Sequence, residues 1–222
     1  MNETDSGPAG RGLRGLFLDY GGVLTGSVGG SFAAYEDHLG IPRGRAFELL
    51  VEASRTPGGG LIGALERGEI SSQEFDATLV SLLVEDGYDV PRGGVLARFF
   101  AAMEPTGGLW DVATQVRRHG LATGVLSNSW GTDIYPRELL ASHFDVLVIS
   151  AEVGMRKPDP AIYELACERI GLPPERCAFV DDLPRNVEVA REVGMFAVHH
   201  DGDEAAVVAK LSDFLEVELS LP

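Results

Sequence analysis

The sequence predicts an α/β fold: a Rossmann-like parallel sheet core with helices on both faces, plus an inserted α-helical cap domain. Three observations carry this expectation. From about residue 109 onward, short apolar runs alternate with helical stretches, the rhythm of parallel strands joined by crossover helices. A run of the same kind, Leu13 to Leu18, stands alone near the N-terminus. Between them, residues 31–104 carry apolar side chains at three- and four-residue spacing, the helical period.

Taken in order, residues 1–12 are polar and rich in Gly and Ala and read as a disordered tail. The first strand, 13–18, ends in Asp19. A glycine-dense stretch, 21–30, follows and reads as a flexible connection, with a backbone N–H cradle for phosphate as the alternative. Helical patterns then occupy 31–39, 43–54, 71–86 and 93–103, and Pro57 to Gly60 marks a loop among them. Ser71 with Glu74 matches a capping box ahead of Phe75, Leu79, Leu82 and Leu83. A helix at 109–119 ends at Gly120. Strand-like runs at 123–126, 146–149, 178–180 and 196–198 alternate with helical stretches at 134–142, 160–170, 185–193 and 203–217. The expected division is an α/β core from 13–24 and 106–222, with a helical cap over 25–105.

Composition narrows the function. A chain of 222 residues buries roughly 70% of its unfolded surface and needs no disulfide framework or structural metal. Eighteen basic against 34 acidic residues give a net charge of −16, which argues against nucleic acid as a partner. An anionic substrate would need a local metal or lysine to override that field. No apolar run reaches the roughly 18 residues of a membrane span, and the N-terminus lacks the shape of a signal peptide. Cys167 and Cys177 read as reduced, partly buried residues. The expectation is a cytoplasmic protein.

Ligands of open parallel sheets bind beyond the carboxyl ends of the strands. Here the first strand ends at Asp19 and the second at Ser127 and Asn128. The third is followed by a loop with Arg156 and Lys157, and the fourth ends at Asp181 and Asp182. One Asp after a strand is ordinarily a helix cap or turn residue. Four strand ends delivering polar groups to one edge are hard to explain as caps. Three converging carboxylates repel unless a cation neutralises them, and oxygen ligands suit a hard ion such as Mg²⁺. A lysine and a serine hydroxyl nearby supply donors for a phosphate. Nucleophilic carboxylate, divalent cation and ammonium together describe a phosphoryl-transfer site.

The segments LFLDYGGVL at 16–24, GVLSNS at 124–129, RKPDPAIYELA at 156–166 and FVDDLPRNVEVA at 179–190 resemble, in order, the motifs of the haloacid dehalogenase-like hydrolase superfamily. The chain is most similar to its phosphatase branch with a small helical cap after the first strand, and LERGEISSQEF at 65–75 looks like cap sequence of that branch. The resemblance spans about residues 13–200. It implies Asp19 as a nucleophile that forms an aspartyl-phosphate and also binds Mg²⁺. It implies Ser127 as a phosphoryl donor with Asn128 beside it, and Lys157 as the neutralising cation. Asp182 is implied as a direct metal ligand, Asp181 as one acting through water, and the Gly21 carbonyl as a further ligand. Asn186 orients water or the loop, or simply caps its helix.

One position departs from the pattern. Two residues after the nucleophile most family phosphatases carry a second Asp as general acid and base; here it is Gly21. That role is typically worth about 10²–10⁴ in rate. Its vacancy predicts faster cleavage of aryl than of alkyl phosphates, unless Glu66, Glu69 or a water held by Asp182 supplies the proton. Glu66 and Glu69 otherwise read as solvated helix-face residues. Restoring an Asp at 21 faces two obstacles, a backbone suited to glycine and crowding of the metal. His199 and His200 have no metal-ligand spacing and read as surface or packing residues. Trp110 reads as helix packing, and Trp130 as a candidate lining residue.

The expected activity is hydrolysis of a small phosphomonoester, such as a sugar phosphate or nucleotide-type metabolite, with Mg²⁺. The rivals are a catalytically weak binding or regulatory protein, phosphotransfer to another acceptor, and 2-haloacid dehalogenation. The last needs no metal and lacks the paired Asp. Oligomeric state is not legible.

Overall fold

The computed structural model describes residues 13–55, 60–101, 103–131 and 135–222; the tail expected at 1–12 and loop positions 57–59 lie outside them. Strand β1 (Gly15–Leu18) is followed by five helices: α1 (Val28–Leu39), α2 (Arg45–Ala53), α3 (Gly60–Glu66), α4 (Ser72–Glu85) and α5 (Val95–Ala101). Then come α6 (Leu109–Arg118), β2 (Ala122–Ser127), α7 (Arg137–His143), β3 (Val146–Ile149), α8 (Ser150–Val153) and α9 (Pro160–Ile170). The chain closes with β4 (Cys177–Asp181), α10 (Pro184–Glu192), β5 (Phe196–His199) and α11 (Glu204–Leu215).

The five strands form one sheet in the order β3-β2-β1-β4-β5, and every pairing is parallel. Both faces are covered, so the strands are mainly apolar, with polar residues chiefly at their carboxyl ends. The period of two still sorts their side chains. Leu16 and Leu18 join Ala178 and Val180 in a cluster completed by α6, α7 and α11. Phe17 and Phe179 point the other way, into a cluster with residues of α9 and α10. The chain runs outward from β1 to β2 and β3, then returns to β4 on the opposite side of β1. The strand order therefore reverses between β1 and β4, the point where open sheets open a ligand crevice.

The inserted helices pack around a cluster of their own, including Phe32, Leu50, Phe75, Leu79 and Phe99, which Trp130 joins from beyond β2. Two buried carboxylates tie these helices together. Glu36 of α1 accepts from the N–H of Gly44 at 2.6 Å and of Ala46 at 2.8 Å. It thereby caps α2, whose own N-cap is a glycine without a capping side chain. Asp76 of α4 accepts from the N–H of Val95 and Leu96 and caps α5 in the same way. The insert begins and ends at one place: Thr25 and Pro105 form an antiparallel bridge, and the Thr106 N–H donates to Leu24 O at 3.0 Å.

Local differences from the sequence expectation have local causes. Helix α1 starts at Val28 rather than 31, because the Ser27 hydroxyl accepts from the Gly30 N–H. Part of the glycine-dense stretch is thus the first turn of a helix. Helix α3, with Gly60 and Gly63 among seven residues, carries too little apolar pattern to be predicted. The capping box at Ser71 and Glu74 forms as expected.

Candidate active site

The sheet register brings the first and fourth strand ends together. Leu18 pairs with Val180, and the Asp19 N–H donates to Val180 O at 2.9 Å, so Asp19 and Asp181 stand side by side. Lys157 lies between them: its Nζ is 2.8 Å from Asp19 Oδ1 and 2.6 Å from Asp181 Oδ2, and the side chain is wholly buried. The lysine is aimed by a reciprocal clamp at the end of β2. The Lys157 N–H donates to Asn128 Oδ1 at 2.7 Å, and Asn128 Nδ2 donates to Lys157 O at 2.9 Å. Much of the Asn128 amide is therefore engaged in positioning the lysine.

Burial dominates the electrostatics. It pushes the Asp19 carboxyl above the usual carboxylate range; Lys157 opposes that, while Asp181 and Asp182 add to it. Burial would by itself lower the Lys157 ammonium, but Asp181 and Asp19 more than offset it and the pKa lies above the ordinary lysine value. Asp182 is raised by burial and then by Asp181.

The oxygens of Asp19, Asp181 and Asp182 come within 4.8 Å of one another. With all three ionised, three carboxylates against one ammonium leave two negative charges, which suits a hard divalent cation. The three differ in what they have left to give. Asp181 is saturated: Oδ1 accepts from the Leu183 N–H and Asn186 Nδ2, Oδ2 from Lys157 and Asn186. Asn186, buried at the start of α10, thus holds Asp181 rather than standing apart as a cap. Asp19 Oδ1 accepts from the Tyr20 N–H at 2.7 Å and from Lys157. No hydrogen bond from another described residue reaches the Asp182 carboxylate; its backbone O pairs with His199 Nε2 at 3.0 Å. The Asp182 loop also explains one glycine. Gly22 has φ +79°, and a Cβ there would stand 2.2 Å from Asp182 Oδ2. Gly21, by contrast, is outside the left-handed region, and its Cβ would meet only Met103 Cε at 3.3 Å and Val28 at 3.5 Å. The backbone obstacle expected at 21 belongs to 22.

Ser127 is buried at the end of β2, its hydroxyl 2.9 Å from that of Tyr135. Tyr135 carried no sequence signal, since it follows the strand by eight residues and nothing in its spacing marks it. Above this edge lies a cavity of about 540 Å³, lined by Asp19, Gly21, Asn128, Lys157, Asp182 and Asn186 from the core. Val28, Phe32, Phe47, Ile62, Trp130 and Leu183 give it largely apolar walls.

The insert adds one charged group to the same cavity. Glu66, at the end of α3, is 5% exposed, and its Oε2 is 2.8 Å from Arg156 Nε. Burial pushes its carboxyl up to about 7, against the pull of Arg156 and Lys157. The segment is pinned from the core by the Ser150 hydroxyl, which donates to Glu66 O. Glu69 goes elsewhere, to a partly exposed pair with Arg67 at 2.6 Å outside the cavity. Trp110 packs in the core and donates to Leu24 O. Cys167 and Cys177 are buried and free. Among the described residues, no helix is long and apolar enough to cross a membrane.

Comparison with known proteins places this geometry. The family model described as haloacid dehalogenase-like hydrolase matches residues 13–194. Acyl-CoA dehydrogenase family member 10 of Mus musculus is 30% identical over 92% of this chain, which spans only 19% of that protein. Phosphoserine phosphatase of Thermus thermophilus is 37% identical over 48% of this chain and 47% of its own length. A HAD-family enzyme from Bacteroides thetaiotaomicron, solved with magnesium and inorganic phosphate, superposes with a TM-score of 0.60 at 22% identity, over 87% of this chain and 99% of that one. A dehalogenase superposes with a TM-score of 0.64 at 20% identity, over 90% and 88%. At such identities the superpositions bear on the fold alone.

Proposed function

The chain belongs to the haloacid dehalogenase-like hydrolases, and on that premise we propose that it is a Mg²⁺-dependent phosphomonoester hydrolase working through an aspartyl-phosphate. The observation that carries this reading is Lys157 bonded to both Asp19 and Asp181, with Asp182 alongside and two negative charges left uncompensated. Asp19 attacks phosphorus, and the ester P–O bond breaks. Water then attacks phosphorus, the bond to Asp19 breaks, and inorganic phosphate leaves. Lys157 favours the ionised form of Asp19 against the larger cost of burial and then faces the phosphoryl oxygens. Ser127 donates its hydroxyl to one of those oxygens, and Asn128 holds Lys157 in place.

Asp19, Asp182 and the Gly21 carbonyl are the groups that would hold the cation directly. Asp181 would act through water, because its oxygens already accept from Lys157, Asn186 and Leu183. The cation supplies charge neutralisation for a dianionic ester beside carboxylates. Residues 25–105 act as a cap that keeps bulk water from the site. The substrate is a small phosphorylated metabolite. Its body is weakly polar, since the walls are apolar and the two lining cations, Arg156 and Lys157, are already paired. That favours a monoester over a nucleotide polyphosphate.

Surplus negative charge weighs against halide displacement, in which an anion leaves without metal assistance. A screen of phosphorylated metabolites for phosphate release, with and without Mg²⁺, tests the proposal. Release from monoesters only in the presence of the metal is expected. Equal release in excess chelator, or release from no ester, would overturn it.

A further inference from the structure

We propose that Glu66, brought to the cavity by the helical insert, is the proton donor to the leaving oxygen, the role that Gly21 has no side chain to fill. The inference rests on the phosphatase reading above and adds a catalytic group to it.

The cavity offers four carboxyl groups, and three are committed. Asp19 and Asp182 belong to the acidic trio. Glu36 has both oxygens on the amides that begin α2. Glu66 remains. It shares the cavity with Asp19 and Lys157 and is 5% exposed. Arg156 approaches its Oε2 to 2.8 Å, yet the contact is charge against charge: this buried oxygen has no aligned hydrogen-bond donor. That oxygen is sealed from bulk water, and the residue itself lines the cavity with Asp19 and Lys157. The carboxyl sits near 7, raised by burial, so both protonation states are populated near neutrality, as a group that gives and regains a proton requires. The groups facing it are Arg156 and Lys157 from the loop after α8, the Asn128 side chain at the end of β2, and Arg67 from its own segment. A phosphate dianion drawn to Lys157 offsets the lysine's own positive field at Glu66.

The steps balance. As Asp19 attacks phosphorus, the ester P–O bond breaks and its electron pair stays on the leaving oxygen. That oxygen takes the Glu66 proton and departs as a neutral alcohol. The Glu66 carboxylate then accepts a proton from the water that attacks the phosphoaspartate. Phosphate leaves, and both carboxyls return to their starting states.

Single-turnover cleavage of phenyl phosphate and cyclohexyl phosphate, in wild type and Glu66→Gln, tests this. Phenolate leaves readily without a proton and cyclohexanolate does not. The variant should slow cyclohexyl phosphate about 10²-fold and phenyl phosphate by under about 3-fold. Equal loss on both esters would make Glu66 structural and overturn the proposal, as would no loss on either. The wild type alone gives a second test, which any folding defect of the variant leaves untouched. Its ratio of cyclohexyl to phenyl cleavage should fall as pH rises from 6 to 9, because titrations common to both esters cancel. A ratio independent of pH would overturn the assignment. Cleavage of neither ester by wild type would instead overturn the phosphatase reading, and the proposal with it.

Discussion

The carboxyl edge of the sheet and the helical insert face each other across one cavity, but charge does different work in each. At the edge, Asp19, Asp181 and Asp182 crowd around a single lysine, with more negative charge than the protein compensates. In the insert, the buried carboxylates Glu36 and Asp76 each neutralise a helix N-terminus. The first arrangement stores repulsion that a ligand can relieve; the second spends its charge on the fold. Glu66 is the exception in the insert, since it lines the cavity and its Oε2 meets Arg156 rather than a helix N-terminus.

If that contrast is right, substitutions at the edge should cost activity and substitutions in the insert should cost stability. The largest effect is expected for Asp19→Asn, which keeps the shape but removes the attacking charge. Turnover should fall at least about 10³-fold with the fold intact, and circular dichroism with a phosphate-release assay checks both. Residual activity above about 10% of wild type would break the comparison at its centre.

Next comes Asp182→Ala. Mg²⁺ should raise the melting temperature of wild type by mass action, and the variant should lose most of that rise together with most of its activity. An undiminished rise would place the cation elsewhere.

Glu36→Ala should reverse the pattern. It strands the buried Ala46 amide, at about 1–3 kcal/mol, and the part-buried Gly44 amide, so the unfolding midpoint in urea should drop while the ratio of aryl to alkyl cleavage stays unchanged. The smallest effect is expected for Glu69→Gln. Glu69 is exposed in the Arg67 pair it breaks, and such solvent-screened pairs contribute little to stability. An unchanged unfolding midpoint in urea and unaltered kinetics would sharpen the distinction between Glu69 and Glu66, three residues apart.

The two regions also differ in how far the sequence discloses them. Each polar group of the edge follows directly on an apolar run or its loop, so Asp19, Ser127, Lys157, Asp181 and Asp182 are legible from position alone, and the sheet register adds only their contact. Legibility ends where the chain must fold back on itself. Glu66 meets Arg156 across about ninety residues, from a seven-residue helix whose two glycines hide its period. Nothing in LERGEISSQEF separates Glu66, turned inward, from Glu69, turned out. Tyr135 meets Ser127 from eight residues further along the chain, a contact that no local pattern announces. Helix α1 begins in what reads as a flexible glycine run, because the single hydroxyl of Ser27 outweighs the composition.

The central claim is a covalent phosphoryl group on Asp19, and trapping it is the most direct test. Wild type mixed with phenyl phosphate and Mg²⁺ should be quenched in acid during the first turnover and mapped by peptide mass spectrometry. A phosphorylated peptide containing Asp19, absent from Asp19→Asn and absent when chelator replaces Mg²⁺, is the predicted result. Phosphate released at full rate with no phosphoryl group passing through Asp19 would contradict the account.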